Sequence, residues 1–156
     1  MRVAYQPRII HIYIFKDFIK GEDYTVSYAS GRKNVGSYTV TVKGRERFKY
    51  TKKLTFKINP KGTTISKLSA AKQAFTVKVK KQASQTTGYE VAYSTDKKFK
   101  KSATKKQAIT SYKTTSKKIT GLKKGKKYYV KVRTYKTLKG KKYYSSWSEV
   151  KTVKAK

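Results

Sequence analysis

Apolar and cationic side chains alternate along much of this chain with a period of two, the period of a β-strand. From Tyr128 to Arg133, Tyr128, Val130 and Val132 face one way while Lys131 and Arg133 face the other. This pattern predicts antiparallel strands with one face buried and one face in water. Similar alternation occurs in residues 8–15, 24–28, 37–43, 52–58, 75–80 and 89–93.

Glycine-containing turn signals separate these segments at short intervals. Short strands punctuated in this way predict a β-sandwich or a barrel. The pairs are Lys20-Gly21, Ser30-Gly31, Lys43-Gly44, Thr87-Gly88, Lys124-Gly125 and Lys139-Gly140.

A Pro/Gly cluster, Asn59 to Gly62, lies near the middle of the chain, and Pro60 cannot donate to a central strand ladder. The sequence therefore predicts a β unit at 1–59, a linker at 60–63 and a β-sandwich at 64–156. The charge also changes here, from a net +9 over residues 1–60 to +25 over residues 61–156.

The net charge of +34 suggests a disordered chain, because Leu, Ile, Val and Phe supply only 31 of the 156 residues. Tyrosine changes this reading. The 14 Tyr and single Trp add burial capacity, and 40 β-branched residues against four Leu favour strands. We therefore expect an all-β fold of two antiparallel sandwich units in tandem, the first incomplete.

The segment from Leu122 through Gly125 to Tyr128 resembles the E–F corner of a fibronectin type III domain. The resemblance implies that the Tyr128 ring lies in the core with its hydroxyl bonded to nearby backbone. It also implies that Val79 stands where many members have Trp. The alternation and this resemblance together predict the core residues Phe75, Val77, Tyr89, Val91, Leu122, Tyr128, Val130 and Val132.

Residues 1–59 resemble a bacterial Ig-like repeat of secreted and cell-surface proteins of Gram-positive bacteria. The resemblance rests on residues 21–28, 34–40 and 56–58. The family has a further strand before the segment that begins here at Pro7, which implies a truncated copy. No signal peptide is recognisable in the chain, but the resemblance implies an extracellular or cell-surface location.

The composition disfavours an enzyme. The chain has no Cys, one His and seven acids, so the groups needed for acid–base or metal chemistry are scarce. His11 has no evident partner, and Asp17, Glu22 and Asp23 lack a recognisable calcium-loop pattern. We expect no catalytic residue, no metal, no cofactor and no membrane span.

Two functions remain open. The first is a non-catalytic spacer or adhesion module whose partners are neighbouring domains of a longer chain. The second is a module that binds an anionic cell-wall polymer or a glycan through its lysines and exposed rings. Nucleic acid is the weaker partner, because 35 of the 41 basic residues are Lys, spread over many loops and strands. The candidate ligand surface comprises Tyr129, Tyr135, Tyr143, Tyr144 and Trp147.

Overall fold

The computed structural model describes residues 19–46 and 48–156. The regular structure of these residues consists of eleven β-strands and one 3-10 turn at Lys101–Ala103. None of the described segments forms a helix long and apolar enough to cross a bilayer. The prediction of an all-β fold with antiparallel sheets is confirmed. The strand predicted at 8–15, together with His11 and Asp17, lies outside the described residues.

The chain divides into two compact units. Of the described residues, one unit comprises 19–30, 38–46 and 48–56, and the other comprises Gly31–Ser37 and Lys57–Lys156. The predicted linker, residues 60–63, belongs to the second unit, where the Thr63 hydroxyl donates to the Lys80 carbonyl. The tandem arrangement with boundaries at 59 and 64 stays a prediction.

The first sheet has three strands in the order β1-β2-β3: β1 (Tyr24–Tyr28), β2 (Gly36–Gly44) and β3 (Thr51–Ile58). Strands β1 and β2 are antiparallel, and Val40 and Val42 of β2 are buried. These strands lie where the alternation predicts them, within one residue at each end.

Two sheets make up the second unit. Strands β4 (Ile65–Ala71), β5 (Ala74–Val79) and β8 (Ser116–Ile119) form one sheet in the order β4-β5-β8.

The other sheet has five strands in the order β10-β9-β6-β7, with β11 also paired to β9. Every pair in it is antiparallel. The strands are β6 (Gly88–Ser94), β7 (Thr104–Ile109), β9 (Lys127–Leu138), β10 (Lys141–Tyr144) and β11 (Lys151–Lys154).

The core of the second unit lies between its two sheets, which makes it a β-sandwich. Alternate residues of β5, β6 and β9 supply most of this core, because successive side chains point to opposite faces of a strand. The eight predicted core residues are all buried here, joined by Ile65, Val79, Tyr93, Ile109, Ile119 and Val153.

Lys139 and Gly140 connect β9 to β10, and both have positive φ, 47° and 75°. Two consecutive positive φ angles define a type I′ turn, whose twist matches that of a hairpin. Glycine at the second position adopts this conformation without a Cβ penalty. The Lys-Gly turn signal in the sequence thus corresponds to a tight hairpin.

Candidate functional site

The tyrosine corner implied by the sequence is present in the second unit. Tyr128 is 7% exposed, and its ring lies 6.4 Å from that of Phe75 and 6.3 Å from that of Tyr93. Its hydroxyl accepts a hydrogen bond of 3.0 Å from the backbone N–H of Lys123. The hydroxyl thereby anchors the loop between β8 and β9 to the core.

The outer face of the five-stranded sheet carries an unusual concentration of cations and rings. Strand β9 places Tyr129, Lys131, Arg133 and Tyr135 on this face, opposite to its core residues. Tyr144 is paired with Tyr135 across the β9–β10 hairpin and shares the face. The strand pattern alone therefore brings two cations beside several rings.

These side chains form what we call the cation–aromatic stack: Phe99, Lys131, Trp147, Arg133 and Tyr144. Lys131 Nζ lies 3.9 Å from the ring centre of Phe99 and 5.1 Å from that of Trp147. The central carbon of the Arg133 guanidinium, Cζ, lies 4.2 Å from the ring centre of Trp147 and 3.8 Å from that of Tyr144. Each cation thus contacts two rings, and the negative faces of those rings attract it.

Glu90 of β6 anchors the stack from the neighbouring strand. It lies directly opposite Arg133 in the sheet register, and its Oε1 accepts hydrogen bonds from Arg133 Nη2 at 2.7 Å and Nε at 3.0 Å. The two side chains are 15% and 19% exposed. A charge-assisted pair on two adjacent strands fixes the guanidinium between its two rings.

Two serine hydroxyls hold the chain between β10 and β11 against β9. Ser148 Oγ accepts from Val132 N–H at 3.0 Å, and Ser145 Oγ accepts from Thr134 N–H at 3.1 Å. Backbone amides in a central strand must find acceptors. Here hydroxyls replace the carbonyls of a regular strand, and the chain between them places Trp147 on the stack.

Burial changes the acid–base behaviour of the groups on this face. It lowers the pKa of Lys131, and the nearby charges of Lys106 and Arg133 lower it further. Burial also raises the pKa values of Tyr135 and Tyr144, with smaller contributions from their surroundings. The phenols consequently stay neutral and contribute rings and hydroxyls, not charge.

The five residues of the predicted ligand surface are only partly on a surface. Tyr135 is 3% exposed, and Tyr143 is 9% exposed because it points to the inner face. Tyr129 is half-buried, with Lys127 Nζ 5.5 Å from its ring centre. Tyr144 and Trp147 each stack against Arg133.

Sequence reasoning missed the partners that occupy these rings: Phe99, Lys131, Arg133 and Glu90. A signal exists for two of them, since Lys131 and Arg133 alternate on the same outward face as Tyr129 and Tyr135. No periodic signal marks Phe99, which lies in a loop at a positive φ of 54°.

Within the described residues, no three His, Cys, Asp or Glu side chains are grouped so as to hold a metal ion. Glu22 and Asp23, two of the acids that lack a calcium-loop pattern, line a depression in the first unit together with Arg45 and Glu46. One Asp23 carboxylate oxygen accepts the N–H of Ile19 at 2.9 Å. Asp23 therefore stabilises a turn at the start of the first sheet.

No family model matches this sequence, and no curated protein matches it. Among solved structures, it is similar to the crystal structure of chicken CNTN1 FN1-FN3 domains, with a TM-score of 0.52 and 16% identity. The similarity covers 78% of this chain and 42% of that chain, so this chain matches less than half of that structure.

The chain has a fibronectin type III-like β-sandwich fold. The strand order of the second unit and its tyrosine corner agree with that result. The Ig-like repeat at 1–59 stays a prediction.

Proposed function

We propose that this chain is a non-catalytic structural module that spaces or presents neighbouring domains of a longer polypeptide. The observation that carries the proposal is the cation–aromatic stack, whose charged and aromatic groups bind one another. Arg133 is paired with Glu90 and held between two rings. Such a surface stabilises a β-sandwich. It contains no pair of titratable groups arranged for general acid–base catalysis.

The proposed setting is the surface of a Gram-positive bacterium, with residues 1–59 as an Ig-like repeat next to the sandwich. Support comes from the sequence of residues 21–28 and 34–40. The type III-like fold is compatible with an extracellular location. Neighbouring domains of the same polypeptide are the proposed partners.

A second candidate function is adhesion to an anionic cell-wall polymer. The specific observation in its favour is the charge of residues 61–156, which contain 28 basic residues and only three acidic ones. Glycan stacking has less support, because it needs an open ring face and Arg133 stacks on both Trp147 and Tyr144. Duplex DNA is also disfavoured, since Lys lacks the planar fork that reads base edges.

A salt series separates the two candidates. The chain is titrated against poly(glycerol phosphate) teichoic acid, heparin and duplex DNA from about 20 to about 300 mM NaCl. A purely structural module binds all three alike at low salt and releases them by about 150 mM, where surface charges are screened. Saturable binding to the teichoic acid that persists above that salt supports adhesion. Turnover of a wall substrate by the purified chain would contradict both.

A further inference from the structure

Three segments are tied together at one end of the β-sandwich. The turn between β4 and β5 is joined to the loop between β8 and β9, since Leu122 N–H donates to the Gln73 carbonyl at 3.0 Å. The same loop is joined to the end of β11 and the residues that follow it by the bond from Gly125 N–H to the Ala155 carbonyl at 2.8 Å. These main-chain bonds fix the three segments in one arrangement.

Six exposed lysines project from these segments and form what we call the lysine platform: Lys72, Lys123, Lys124, Lys126, Lys154 and Lys156. Three of them, Lys124, Lys154 and Lys156, line a shallow depression of about 310 Å³. The segments themselves contain no acidic residue. Clustered cations with few acidic groups beside them repel one another and attract anions.

The loop between β6 and β7 adds four exposed lysines at the same end of the sandwich. The register shows this, because the last residue of β6, Ser94, lies opposite Tyr129 near the start of β9. The acid in this loop, Asp96, already accepts the backbone N–H of Lys98 at 2.9 Å. The added lysines are Lys97, Lys98, Lys100 and Lys101.

We propose that the lysine platform is the docking site for a flexible linear polyanion whose charges are phosphodiesters. This inference rests on the second candidate function, adhesion, and assigns it to one end of the molecule. Lysine ammonium groups attract phosphates as point charges and need no fixed orientation of the polymer. The depression has neither an aromatic ring to stack a base nor an Arg to read a base edge.

Two triple variants of the full chain test the location. The platform triple, Lys72→Gln with Lys124→Gln and Lys154→Gln, removes one lysine from each tied segment. The control triple, Lys81→Gln with Lys113→Gln and Lys139→Gln, removes one exposed lysine from each of three loops at the opposite end. Both lower the net charge by the same amount, and thermal unfolding verifies that each variant is folded.

Binding of poly(glycerol phosphate) is measured by calorimetry at several salt concentrations. We expect the platform triple to bind roughly tenfold to a hundredfold more weakly than wild type. Its slope of log K against log salt should shrink by about two. The control triple should lose less than about threefold, the share due to long-range attraction.

Equal losses in the two triples would overturn the platform and leave adhesion by overall charge standing. Failure of the wild-type chain to bind at about 150 mM salt would overturn adhesion itself and leave the structural function intact. Tighter binding of duplex DNA than of the polymer at the same salt would overturn the choice of ligand.

Discussion

Gly88 opens strand β6 where three elements meet closely. A Cβ at this position would lie 2.1 Å from the Ile109 carbonyl oxygen and 2.9 Å from the Tyr135 hydroxyl. The carbonyl belongs to the backbone of the paired strand β7, so it cannot move aside without disturbing the ladder. Glycine is therefore required here because the site has no room for a Cβ atom.

We expect Gly88→Ala to lower the free energy of unfolding by about 2–3 kcal/mol, the cost of forcing an extra methyl into a packed site. Denaturant unfolding followed by tyrosine fluorescence measures this. Gly62→Ala is the matched control, because its Cβ would meet nothing closer than 3.8 Å. A Gly88→Ala variant as stable as the control would show that β7 shifts easily.

The buried phenol of Tyr135 makes stability depend on pH in the alkaline range. Burial raises its pKa above the unfolded value of about 10, with Tyr144 and Glu90 adding to the shift. The unfolded chain then loses this proton at a lower pH than the folded chain does. Stability from this residue is complete below about pH 10 and is lost as the pH rises through the folded pKa.

Tyr135→Phe removes that ionisation, so we expect stability to fall less steeply than in wild type between about pH 10 and pH 12. The measurement is denaturant unfolding at a series of pH values, compared as a difference because lysines titrate in the same range. Ser146→Ala, an exposed change that removes no titratable group, is the control and should keep the wild-type slope. Identical slopes in all three proteins would contradict the argument.

At the scale of elements, strand β9 organises the second unit. Its inner face supplies Tyr128, Val130 and Val132 to the core, and its outer face supplies Lys131 and Arg133 to the cation–aromatic stack. It pairs with β6, β10 and β11. The serine hydroxyls and Trp147 hold the chain between β10 and β11 against β9.

Trp147→Ala should therefore loosen this connection. Trp147 contacts two cations, so its loss should cost roughly 2 kcal/mol of stability. Faster exchange is expected at the amides of Val132 and Thr134, which donate to Ser148 and Ser145. Hydrogen exchange followed by NMR gives both quantities.

Ser146→Ala is the control for this element, because Ser146 is exposed beside Trp147. It should leave both amides protected. If Trp147→Ala left their exchange rates unchanged as well, the serine hydroxyls alone would hold the segment, and the stack would have no part in it.

The alternation of side chains was sufficient to locate most strands and the core. Long, regular segments such as residues 128–133 carry a clear period of two, because each has one dry and one wet face. Alternation did not locate β4, β7, β8, β10 or β11. Strand β7, for example, lies at the sheet edge and buries only Ile109. The cation–aromatic stack was not predicted, because Phe99 reaches it from a loop and a loop conformation produces no periodic pattern in the sequence.

At the scale of the whole molecule, the formal charge of +34 is the dominant physical quantity. Most of the described lysines are exposed, so their mutual repulsion acts through water and is reduced by salt. The Glu90–Arg133 pair is more shielded from solvent and less sensitive to ions. The net effect of salt on folding should therefore be set by repulsion.

We expect the free energy of unfolding to rise by about 1–2 kcal/mol between about 20 and 300 mM NaCl, because compaction brings like charges together. Denaturation by urea, which adds no ions, measures the change. The platform triple should be more stable than wild type at low salt and should gain less on adding salt, since three clustered charges are gone. The control triple should lie between the two. A stability that falls with salt would mean that attractive pairs outweigh repulsion, and the lysine coat could not then be the main electrostatic cost of this fold.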